Sequence, residues 1–64
     1  MNNIGKKLIN LRGKKTRKEV ATAVGVSKSA IAMYERGERV PKDEIKTRIA
    51  KFYKKSVESI FYAN

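Results

Sequence analysis

Lys28, Ser29, Ala32, Met33 and Arg36 fall within one sector of a helix that turns by about 100° per residue. Two cations, a hydroxyl, a methyl and a thioether share that face, with no acid among them. Lys and Arg suit the O6 and N7 acceptors of guanine. A methyl or thioether suits the methyl group of thymine. Ala30, Ile31 and Tyr34 point the other way, which gives the same helix an apolar side for a core. An ordinary solvated face carries more Glu and Lys pairs than this one.

Catalytic chemistry has little to build on. The chain has no histidine and no cysteine, which removes the commonest general acid/base, the commonest zinc ligand and any thiolate site. The clustered acids are Glu35, Glu38, Asp43 and Glu44. Asp43 and Glu44 suit the positive end of a helix. Ser27 and Ser56 suit helix caps. No glycine-rich phosphate loop is present. The expectation is a binding protein without enzyme activity, metal, cofactor or small-molecule ligand.

The elements that must hold the face are legible. Residues 17–24 place Val20, Ala21 and Val24 on one side of a short helix. Thr16 and Glu19 form a T-x-x-E capping box at its start. Gly25 supplies a left-handed stop. Ser27 caps the next helix, and Gly37 follows its end. Two capped helices joined by a short glycine turn make a helix-turn-helix unit, whose second helix enters the major groove of DNA.

The stretch VATAVGVSKSAIAMYERGERVP resembles the central motif of the phage-repressor/Cro-type helix-turn-helix family, the XRE family. Ala21, Gly25, Val26, Ser27, Ile31, Glu35, Gly37 and Pro41 match in register, and the flanks fit as well. The resemblance implies a sequence-specific regulator of transcription, most often a repressor on a palindromic operator. It also implies an ion pair between Arg12, at the end of helix one, and Glu35, near the end of helix three. The family usually carries Gln where this chain has Arg17. The connection from Arg12 to Thr16 is shorter than the family's common form.

Sixteen Lys and Arg against six Asp and Glu leave a net charge of +10 on 64 residues. Such an excess on a small domain points to a polyanionic partner. Arg17, Lys18, Lys14, Lys15, Arg39 and Lys42 are the candidate phosphate contacts. Double-stranded DNA is the expected partner.

The remaining segments read as supports. Helix one ends at about Arg12, with Ile4, Leu8 and Leu11 on one stripe and Asn2 or Asn3 as its cap. Gly5 weakens it by up to about 1 kcal/mol relative to Ala. Lys6 and Lys7 face outward. Pro41 precedes a fourth helix with Ile45, Ile49 and Phe52 on its inner stripe. Lys54 and Lys55 break it. Ser56 starts a fifth, short helix bearing Val57, Ile60 and Phe61.

The fold expected is all-α: one compact domain over residues 1–64, with five short helices of the repressor type. Its core is Ile4, Leu8, Leu11, Val20, Ala21, Val24, Val26, Ile31, Tyr34, Ile45, Ile49, Phe52, Val57 and Ile60. A chain this small has a modest core. Association into a weak dimer, coupled to DNA binding, is expected through residues 59–64, with Phe61 and Tyr62 at the interface. No membrane span or secretory signal is evident, and a cytoplasmic location is expected. Two rival classes stand beside the leading one. A membrane-active cationic peptide needs one long amphipathic helix, which Gly13, Gly25, Gly37 and Pro41 interrupt. A protein-interaction module of the same fold, such as an antitoxin or anti-repressor, would separate from a regulator by its failure to form a salt-sensitive duplex complex.

Overall fold

The computed structural model describes residues 3–62. The helices are α1 (Ile4–Arg12), α2 (Arg17–Val24), α3 (Lys28–Glu35) and α4 (Asp43–Tyr53), followed by a single π-helical turn, α5 (Glu58–Tyr62). Among the described residues there are no strands. α3 packs on α1 and α2, α2 also packs on α4, and α1 packs on α5.

The local signals account for most helix boundaries. At α2 the capping box forms: Glu19 N–H donates to Thr16 Oγ1 and Thr16 N–H to Glu19 Oε1, each at 3.1 Å. Gly25 closes α2 in the left-handed region at φ +87°, with its N–H on Ala21 O. Ser27 Oγ accepts from Ala30 N–H at 3.0 Å and starts α3. Gly37, at φ +75°, turns the chain out of α3. Ser56 Oγ accepts from Ser59 N–H at 3.0 Å and opens the last turn.

The start of α1 departs from expectation. Asn3 occupies the cap position, but its side chain makes no capping bond. Asn2, the other candidate, lies outside the described residues, as does the tail after Tyr62.

Every residue expected in the core is buried or packed against it. Ala30, Ala50 and Phe61 join them as fully buried members, and Tyr53 as a half-buried one. The two alanines are small side chains whose burial depends on how closely neighbouring helices pack.

Gly5 has a different role from the one its propensity suggests. A Cβ at this position would overlap the carbonyl oxygen of Glu35. It would also stand 3.0 Å from the Glu35 carbonyl carbon and 3.4 Å from Gly37 N. The missing side chain lets α1 lie directly on the end of α3, so what costs helix propensity gains a close backbone contact. Lys7 is not simply outward either: its Nζ donates to Ser59 O at 3.0 Å, tying α1 to α5. Lys46 is buried along its stem. Its Nζ bonds Tyr62 Oη at 2.8 Å and lies over the Phe61 and Tyr62 rings.

Candidate nucleic-acid interface

The two middle helices are fixed from both sides. Val20, Ala21 and Val24 of α2 and Ala30, Ile31 and Tyr34 of α3 are all buried. Val26 N–H bonds Ala21 O at 3.0 Å and tightens the turn between them. Arg48 of α4 reaches back to Val24 O at 3.4 Å, which fastens that turn to the support layer.

On the outside of α3, Lys28 and Ser29 are exposed, and Ala32 and Met33 are half-buried. Arg36 is exposed just past the last helical residue. It is not unengaged: Nε and Nη2 meet the two carboxylate oxygens of Glu38 at 3.1 and 3.0 Å. That hydrogen-bonded contact raises the Arg36 pKa and holds Glu38 below the usual carboxylate range. Base contact by Arg36 therefore requires it to exchange this partner.

Lys14, Lys15 and Lys18 are exposed at the entry to α2, and Arg39 and Lys42 after α3. Arg17, at the first position of α2, is half-buried and engaged within the chain. Its Nε donates to Glu35 Oε1 at 2.9 Å.

Glu35 joins α1, α2 and α3. Its side chain is only 1% exposed, although its angle on α3 sets it at the boundary of the two faces. Arg12 grips it with Nε on Oε2 at 2.7 Å and Nη2 on Oε1 at 3.2 Å. The third Arg12 nitrogen, Nη1, donates to Lys15 O at 2.8 Å and pins the connection into α2. The hydrogen bond to Glu35 raises the Arg12 pKa, against the opposing effect of burial. Tyr53 lies near this group; burial raises its pKa first, and the Glu35 charge adds to the rise. Among the described residues, no buried side-chain nitrogen or oxygen lacks a partner.

The C-terminal aromatics separate. Phe61, expected at a subunit interface, is 6% exposed and belongs to the core. Tyr62 remains exposed, with its hydroxyl on Lys46. The void beneath Tyr34 and Glu35 has a volume of about 10 Å³, about enough for one water. Among the described residues no cluster of His, Cys, Asp and Glu is arranged to hold a metal, and no helix is long and apolar enough to cross a membrane.

Sequence reasoning separates the outer face of α3 from its buried face but misses two features beside it. One is the shared use of Glu35 by Arg17, for which no local signal exists. The other is the Arg36–Glu38 pair, whose i, i+2 spacing across Gly37 falls outside helical pairing rules.

Among curated proteins and among solved structures, nothing matches the chain. A family model described as helix-turn-helix matches residues 6–60, which takes in α2, the turn and α3 together with nearly all of their supports. The chain belongs to this helix-turn-helix family, the XRE type of DNA-binding regulators.

Proposed function

We propose that the protein is a sequence-specific repressor that reads a palindromic operator with α3 in the major groove. The observation that carries this reading is the division of α3. Its inner residues Ala30, Ile31, Tyr34 and Glu35 are buried, while its outer face offers Lys28, Ser29, Ala32 and Met33 without an acid. A helix held this firmly presents base-contacting groups at a fixed orientation. Arg36 joins them by exchanging Glu38 for a base. Lys14, Lys15, Lys18, Arg39 and Lys42 hold phosphates on either side, and such contacts set register without reading sequence.

Two copies act on one site in this reading. The longest extent of the Cα trace is 27 Å, short of the roughly 34 Å between half-sites one helical turn apart. Tyr62 is the exposed aromatic available for weak contact between copies. Each subunit carries +10, so DNA promotes association by neutralising their repulsion. The location is cytoplasmic, and the protein acts by binding, without catalysis or cofactor.

Selection of bound sequences from a random duplex pool at physiological salt tests the proposal. Enrichment of a palindrome, lost when Lys28, Ser29, Ala32 and Met33 are substituted, is the expected result. A pool that emerges without sequence preference overturns it. Sedimentation of the complex should give two subunits per palindromic duplex, and Tyr62→Ala should lower cooperativity. One subunit per duplex would remove the dimer from the proposal.

A further inference from the structure

The two arginines on Glu35 are used unequally. Arg12 spends both edges of its guanidinium: Nε and Nη2 on the carboxylate and Nη1 on Lys15 O. Arg17 spends only Nε. Its two Nη groups have no hydrogen-bond partner among the described residues, and its side chain is 38% exposed against 19% for Arg12. The local charge is also unbalanced. One buried carboxylate faces two guanidiniums, so the cluster carries one surplus positive charge at the surface end. Arg17 opens α2, next to exposed Lys18 and close in sequence to Lys14 and Lys15.

A guanidinium is a rigid plane with five donors on two usable edges. When Nε is anchored on a carboxylate, the torsions that would let the Nη groups wander are restrained. The edge formed by the two Nη groups is not taken up by that bond. The ligand that fits such a group is a tetrahedral oxyanion, taken by the open edge.

We infer that Glu35 is a positioning residue for phosphate recognition, holding Arg17 by Nε so that its open Nη edge takes a DNA backbone phosphate. Charges then alternate from Arg12 through Glu35 and Arg17 to the phosphate, and the surplus positive charge is balanced. The carboxylate belongs to the last residue of α3, so the phosphate is tied to the reading helix through a single guanidinium. The inference rests on the DNA-binding reading above.

Arg17→Lys separates bridging from charge. An ammonium keeps the positive charge but presents no second planar edge to a fixed partner, so it serves Glu35 or a phosphate and not both in the same geometry. The probe is a mixed-sequence duplex of roughly 20 base pairs, long enough for two half-sites, because a phosphate contact does not depend on sequence. Affinity is measured across a salt series with thermal melting of each variant alongside. Arg17→Ala is expected to weaken binding about tenfold and reduce the log–log salt slope by about 0.9 per subunit. Arg17→Lys should recover less than half of that loss on a logarithmic scale.

In a Glu35→Gln background, the loss from Arg17→Ala should shrink to about threefold or less, because Arg17 is no longer held. If Glu35→Gln does not fold, ¹⁵N NMR of wild-type protein decides in its place. The Arg17 Nε–H signal bonded to Glu35 should persist on adding the duplex, while the Nη signals shift and sharpen. Wild-type affinity in Arg17→Lys overturns the inference, as does an Arg17→Ala loss undiminished in the Glu35→Gln background or loss of the Nε–H bond in the complex. These results leave DNA binding itself intact. Failure of wild-type protein to bind any duplex would instead remove the reading on which the inference rests.

Discussion

Two arginine–glutamate pairs flank the end of α3, and they resemble each other in geometry alone. Arg12 and Arg36 each meet both oxygens of a carboxylate at close to 3 Å. The Glu35 side chain is buried at the end of α3 against arginines from α1 and α2, while Arg36 and Glu38 are each more than half exposed. A carboxylate that has lost its water depends on its partners, and removing one strands a charge. A carboxylate in solvent exchanges a partner for water at little cost. The buried pair therefore fixes architecture, and the exposed pair remains free to rearrange when a ligand arrives.

The largest expected effect removes the buried charge. Glu35→Gln should destabilise the fold by about 3–5 kcal/mol, because Arg12 is then left half-buried without its counterion. A domain of this size loses roughly 4–8 °C per kcal/mol, so thermal melting followed by circular dichroism would show a large drop or no folded state. An unchanged melting temperature would make Glu35 equivalent to Glu38 and erase the comparison.

Gly5→Ala comes next. The added methyl presses α1 away from the Glu35 carbonyl and should cost about 1–3 kcal/mol through overpacking. The same movement carries Arg12 away from Glu35, so Gly5→Ala and Arg12→Ala should be non-additive in a double-mutant cycle.

Alkaline pH sharpens the contrast from another side. The Tyr53 pKa is raised above its ordinary 10.0 by burial and then by Glu35. The folded state therefore holds that proton more tightly than the unfolded chain. The resulting stability is whole below pH 10.0 and is lost as pH rises through the folded value. Tyr53→Phe should flatten the decline in melting temperature between neutral pH and about pH 11. An identical decline in both proteins would place the alkaline sensitivity elsewhere.

The smallest effect belongs to the exposed pair. Glu38→Gln should leave the melting temperature unchanged at neutral pH. Any stability from Glu38 is present above the ordinary carboxylate range and is lost as pH falls through its lowered value. The variant should instead bind duplex slightly more tightly, since Arg36 no longer leaves a partner to reach it. Weaker binding by Glu38→Gln would mean that the pair positions Arg36 rather than occupying it.

The sequence carries these regions unequally. Caps, turn glycines and apolar stripes are short-range signals, so Thr16, Glu19, Gly25 and Ser27 locate the helix-turn-helix unit without tertiary information. The Arg12–Glu35 pair enters through family resemblance, since residues so far apart in the chain leave no local trace of meeting. The burial of Glu35 follows from what α1 lays over it, which an angle on α3 does not contain. Arg17 reads as a free cation because its partner, Glu35, lies on another helix. Phe61 reads both as a core residue and as an interface residue because one terminal turn is too short to define a periodic face. Lys46 is invisible for a similar reason: its ammonium meets the rings of Phe61 and Tyr62, which arrive from the end of the chain.

The backbone contact at Gly5 bears on how the molecule can move. Side chains between helices act as deformable spacers, and rotamer changes let packed helices slide. At Gly5 no spacer exists: the α1 backbone lies against the final carbonyl of α3. This close contact couples the two helices, so α1 is expected to move with α3 as one body. Adjustment to a bent or overtwisted duplex must then come from the joint with α4, whose hold on the turn includes a 3.4 Å bond from Arg48. Amide exchange should reveal this division of labour, with α1 and α3 opening together and α4 able to open apart from them.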